Sequence, residues 1–166
     1  LAASVSLGLL RLEADAPRPQ EHGTKSLAAF RAFLDGRHAL MQSDFTRAEG
    51  SFREATQLDS AYGPGLTWLG ISLYLRAISG AASLQRVGSN IAQHSTLAME
   101  SLDRSTGQDR LHIAAFYHFQ RGDFEESRRF YRELVESYPD DILGWLMRGA
   151  LETNDLWMGS LPCLLY

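Results

Sequence analysis

The chain of 166 residues has one cysteine, Cys163. Without a second thiol it cannot close an internal disulfide, so a sulfur-stapled fold is excluded and a reducing compartment fits. It also lacks a cationic excess: 16 Lys and Arg stand against 20 Asp and Glu, for a net charge of −4. No positive field is available to gather phosphates, and nucleic acid is not an expected partner of this segment. Long apolar runs are missing too. The opening LAASVSLGLLRL meets Arg11 after about ten residues, against the roughly 20 that a membrane-spanning helix needs.

Catalytic patterns are equally scarce. The glycines of GPGLTWLG (63–70) follow no strand and carry no Lys-Ser or Lys-Thr pair, which argues against a phosphate loop. No GxSxG elbow presents a serine nucleophile. The histidines at 22, 38, 94, 112 and 118 form no close pair with cysteine and no tight acidic cluster. His112 and His118 are six apart, so an ideal helix points them in different directions. The carboxylates and arginines of DFEESRRFYRE (123–133) fall at the spacing of surface ion pairs on a helix. No catalytic, cofactor-binding or metal-ligating residue is assigned, no cofactor is expected, and enzyme activity is not expected of this segment.

Three regions are distinguishable. The chain starts at Leu1 without methionine, so an incomplete N-terminus is expected. Residues 1–24 read as a short amphipathic helix, with Val5, Leu9 and Leu12 along one face, running into the Pro-containing linker EADAPRPQEHGTK. A truncated signal peptide is the alternative for the apolar start. Residues 25–155 show apolar residues at intervals of three and four, with no sustained strand-like alternation, and so read as helical. Residues 156–166 contain Gly159 and Pro162, lack a charged outer face and read as an irregular tail.

An internal repeat organises the helical part. With an offset of 79 residues, Asp44 falls on Asp123, Phe45 on Phe124, Ala48 on Ser127, Phe52 on Tyr131, Arg53 on Arg132, Glu54 on Glu133, Ala55 on Leu134 and Ser60 on Pro139. Small and large side chains alternate along one helical face, which lets a neighbouring helix approach closely while rings fill the grooves. Asp44 and Asp123 occupy N-cap positions, and Glu126 is placed to complete a capping box with Asp123. A helix precedes each copy, SLAAFRAFLDGRHALMQ and RLHIAAFYHFQRG, so each unit is helix, tight turn, helix.

This pattern resembles the tetratricopeptide repeat, a helix pair of 34 residues with fixed small and large positions. In that register the units start at Ala29, Gly63 and Gln108. The first has Gly36, Ala48, Phe52 and Ala55; the second has Leu66, Leu69, Gly70 and Leu73; the third has Leu111, Ala115, Gly122, Tyr131 and Pro139. A fourth first helix carries Trp145 and Gly149, and about three helical turns are inserted between Gly80 and Gly107. Asp35, Ser60, Ser127 and Leu134 depart from the family's pattern. The implied fold is all-α, a TPR-like α-solenoid of antiparallel helix pairs with about three to four repeats.

The strings TKSLAAFRAFLDGRHAL and YRELVESYPDDILGWLMRG also look like the repeat region of certain bacterial signalling proteins, of serine/threonine kinase, adenylate cyclase or winged-helix regulator type. The resemblance implies a non-catalytic scaffold that binds a peptide or helix in a concave groove lined by the first helix of each unit. Mapped onto this sequence, the groove consists of Phe30, Phe33, Arg37, Thr67, Ile71, Tyr74, His112, Phe116 and Phe119. Relatives that grip a C-terminal carboxylate use lysine and asparagine at such positions, and neither is present here. The expected partner is an apolar protein or peptide segment, or another domain of the same polypeptide. The alternatives are a spacer or self-association module attached to a catalytic domain, and an exported repeat protein. Cytoplasmic residence is expected, with export left open by the N-terminus.

Overall fold

Ser26 opens the helical body. Its hydroxyl accepts the Ala29 amide at 3.1 Å and satisfies one of the first-turn donors that a helix leaves unpaired. The computed structural model describes residues 22–81, 83–105 and 107–157. Seven helices occur among them: α1 (Leu27–Met41), α2 (Phe45–Leu58), α3 (Gly63–Ile78), α4 (Leu84–Glu100), α5 (Gly107–Gln120), α6 (Phe124–Ser137) and α7 (Ile142–Trp157). A single turn of tighter helix, Leu102–Arg104, joins α4 to α5, and no strand occurs among the described residues. The expected N-terminal helix and most of the expected tail lie outside those residues. α7 continues to Trp157, past the expected boundary at 155.

Consecutive helices pair as hairpins, α1 with α2, α3 with α4 and α5 with α6. The second helix of each hairpin packs on the first helix of the next, and α3 also touches α5. This succession of stacked helix pairs is an α-solenoid-like arrangement. α3 is enclosed on all sides from Gly63 to Leu73, and its sequence accordingly carries no charge before Arg76. Pro64 occupies the first turn of α3, where its missing amide costs no hydrogen bond.

Two turns of identical design close the first and third hairpins. Ser43 has φ 58° and Gly122 has φ 76°, one 79 residues after the other in the sequence. In both, the following aspartate amide returns to a carbonyl five residues back: Asp44 N to Ala39 O and Asp123 N to His118 O, each at 3.0 Å. The left-handed residue lets the chain reverse within three residues.

Helix contacts depend on glycine notches. A Cβ on Gly36 would sit 2.6 Å from the Phe52 ring, and one on Gly70 would sit 2.7 Å from the Phe116 ring. The aromatic therefore lies directly on the neighbouring backbone. Gly144 does the same for Leu134, with 2.8 Å between a built Cβ and the Leu134 side chain. This accounts for leucine where the repeat pattern prefers a small residue. Ser127, another departure, is buried and donates its hydroxyl to Ala115 O at 2.9 Å, tying α6 to α5. Between hairpins, the buried Glu49 of α2 accepts from Arg53 on its own helix and from Arg76 of α3.

The two capping aspartates diverge. Asp44 accepts the Arg47 amide at 3.0 Å as expected. Asp123 makes no side-chain cap; its carboxylate takes the His118 ring at 3.0 Å, while Glu126 pairs with Arg129. The expected capping box is therefore replaced by a His118–Asp123 hydrogen bond and a Glu126–Arg129 ion pair, because side-chain donors compete with the amides for these carboxylates. Only part of the inserted length between Gly80 and Gly107 goes into a longer helix, 17 residues in α4 against 14 in α2 and in α6; more of it lies in the connections on either side of α4, including the turn Leu102–Arg104.

Candidate functional site

The nine residues expected to line a groove all lie on α1, α3 and α5, and the structure divides them. Phe30, Phe33, Thr67, Ile71, His112 and Phe116 are buried, while Arg37, Tyr74 and Phe119 remain partly exposed. Phe30 stacks on His22 at 4.8 Å, at the N-terminal edge of the array. Phe33 meets Tyr62 edge-on at 5.3 Å and Phe52 at 5.8 Å. Phe116 fills the Gly70 notch. As folded, the buried six hold helices together, and of the nine only Arg37, Tyr74 and Phe119 reach the surface.

Those three form two groups. Tyr74 of α3 and Phe119 of α5 meet edge to face with 5.1 Å between ring centres, and Phe116 stacks beneath Phe119 at 6.1 Å. Burial raises the Tyr74 hydroxyl pKa above its ordinary value, so it stays a neutral donor. Arg37 of α1 lies with its guanidinium carbon 4.5 Å above the Trp68 ring and 6.0 Å from Phe33. Trp68 is buried and continues the contact to α5, where its ring lies 4.7 Å from His112. The guanidinium is thus fixed over an aromatic face by cation–π attraction.

His112 ends this series on a carboxylate. Its Nε2 lies 2.6 Å from Asp141 Oδ2, and both side chains are only 1 % exposed. Asp141 also accepts Gln108 Nε2 at 2.5 Å and, through Oδ1, the Gly144 amide at 2.8 Å, so it caps α7. Burial pushes the Asp141 pKa upward, but the His112 hydrogen bond and charge, the Gly144 amide and Gln108 outweigh it and hold the carboxyl well below the usual range. The ionised carboxylate requires that Nε2 carry the proton and donate it. Sealed from solvent, the pair braces α5 against the start of α7. Tyr131 lies against it at 6.3 Å, its hydroxyl pKa driven up by burial and by the Asp141 charge.

Sequence reasoning missed Trp68, Asp141 and Tyr62. Trp68 looks like one more apolar residue of α3, yet it carries the contact from α1 to α5. Asp141 reads as part of a turn, and only its place just before α7 and three residues before Gly144 hints at a cap. Among the described residues no group of three His, Cys, Asp or Glu side chains could hold a metal ion. No described helix is long and apolar enough to cross a membrane. No family model matches the chain, and no curated protein matches it.

Proposed function

We propose that this chain is a tetratricopeptide-type scaffold that binds a protein segment across the exposed edges of α1, α3 and α5, within a bacterial signalling or regulatory protein. The partner is an extended or helical peptide, or another part of the same polypeptide, and the segment itself performs no chemistry. The main support is the Tyr74–Phe119 pair. Two aromatic rings from successive first helices meet at 5.1 Å and stay partly exposed, seated on the buried Phe116 ring. Rings held rigid by packing bind a partner with little loss of side-chain freedom.

The test is selection of a random-peptide display library on the full chain, followed by affinity measurement with Tyr74→Ala and Phe119→Ala. Peptides should enrich on the wild type, and each substitution should weaken them by about tenfold. Failure of any peptide to enrich would count against the reading.

A second reading, self-association, is favoured by α7. Its buried side carries Leu143, Met147 and Leu151, while Ile142, Trp145 and Leu146 face outward at 61 %, 48 % and 50 % exposure. An exposed apolar patch of this kind marks a contact surface. Light scattering over a concentration series decides it: mass should rise with concentration, and Trp145→Glu should abolish the rise.

A further inference from the structure

We infer that Arg37 is the seat for an acidic side chain of the bound segment, so that the partner pairs an aspartate or glutamate with apolar neighbours. The inference rests on the peptide-binding reading above and adds a charge requirement to it.

Arg53, Arg76, Arg104, Arg110, Arg128, Arg129 and Arg148 each have a carboxylate within ion-pair distance, and Arg31, Arg47, Arg86, Arg121 and Arg132, which show none among the described residues, are exposed to water. Arg37 has none among the described residues, although it is partly buried, and its contacts are with the Trp68 and Phe33 rings. A partly desolvated cation without a counter-ion is a cost to the free protein that an incoming anion relieves.

The two acids that share the surroundings of Tyr62 with Arg37 are already engaged. Asp59 accepts the Thr24 hydroxyl at 2.7 Å and the Ala61 amide at 3.2 Å. Asp109 faces His22 at 3.4 Å. Both act on the Tyr62 hydroxyl, whose pKa burial drives up most strongly, Asp109 next, while Arg37 opposes them. The field around Tyr62 therefore contains Arg37 together with two carboxylates turned to other donors.

The Arg37 side chain is also preorganised. A guanidinium stacked on indole keeps its planar fork of N–H groups free at the edge, the geometry that a carboxylate accepts with two parallel hydrogen bonds. Trp68 is fully buried and held by Phe52 at 6.3 Å and His112 at 4.7 Å, and His112 is itself locked by Asp141. Little side-chain entropy remains to be lost when the anion arrives. A single arginine suits one carboxylate, whereas phosphate recognition gathers several cations. Tyr74, six residues after Trp68 on α3, and Phe119 are the partly exposed rings to which the apolar neighbours of that acid would turn.

The test uses the same library, displayed with each peptide's C-terminus fused so that no terminal carboxylate is offered. Parallel selections run on the wild type and on Arg37→Glu. Wild-type selection should enrich Asp or Glu at a fixed spacing from apolar residues. Synthetic capped peptides should lose about tenfold in affinity on Glu→Gln, and about the same against Arg37→Glu or Arg37→Gln. A Glu→Lys peptide should regain binding to Arg37→Glu, an outcome that an unfolded variant could not give. Enriched peptides without acidic preference, binding Arg37→Glu as well as wild type, would overturn the inference and leave the peptide-binding reading standing. No enrichment on the wild type would overturn both.

Discussion

His112 and Asp141 stand where Phe33 and Tyr62 stand 79 residues earlier. The first helix of one hairpin meets the residue that opens the next through a ring pair at 5.3 Å in the first case and a hydrogen bond at 2.6 Å in the third. One contact position is therefore apolar in one unit and ionic in the other. Asp141→Ala should cost about 3 kcal/mol, because it removes the cap of α7 and leaves His112 and Gln108 without their acceptor. The double substitution His112→Phe with Asp141→Tyr, which imports the first unit's pair, should cost clearly less than the two single changes together. Urea melts of the four proteins decide this; strictly additive losses would refute it.

Acid should destabilise the fold in two stages. Burial and the Arg53 charge push His94 below its ordinary 6.5, and the Asp141 carboxyl is held below its ordinary 3.8. Each group binds fewer protons folded than unfolded, so stability is lost as pH falls through these windows. The urea midpoint should decline modestly below about pH 6.5 and further below about pH 4. His94→Gln should remove the first step and Asp141→Asn the second.

Glycines that look alike in sequence should respond oppositely to alanine. Gly36→Ala would drive a methyl group into the Phe52 ring, with an expected loss of about 1–3 kcal/mol. Gly50 lies within α2 with nothing near a built Cβ, so Gly50→Ala should gain about 0.5–1 kcal/mol from reduced backbone freedom in the unfolded chain. Thermal melts showing the same sign for both would contradict the notch.

Ser43 adopts a left-handed conformation that its counterpart Gly122 takes without steric penalty. Ser43→Gly should stabilise the first hairpin by about 1 kcal/mol, and Gly122→Ala should destabilise the third by a similar amount. Hydrogen exchange of the Asp44 and Asp123 amides would report each turn separately.

Much of the fold was legible because helical turns leave periodic marks. The spacing Phe45, Ala48, Phe52, Ala55, the paired aspartates and the glycine notch at 36 located the first and third hairpins. Helix content, hairpin order and the extra length before α5 follow from such local marks. The candidate site was less legible. Phe33, Ile71 and Phe116 have the same residue character whether they line a groove or close a core, and only the distance between helices separates the two cases. Phe116→Ala would open a cavity at Gly70 and so report on packing rather than on binding. The His112–Asp141 pair joins residues 29 apart across two turns, and no periodicity reports such a contact.

Phe33, Phe52, Trp68, His112 and Tyr131 touch in succession at 5.8, 6.3, 4.7 and 6.3 Å, running from α1 through α2, α3 and α5 to α6. Stacked repeats commonly come apart from one end, each unit depending only on its neighbour. Here the middle hairpin shares rings with the units on both sides. Denaturation should therefore be cooperative, a single sigmoid rather than unzipping from a terminus.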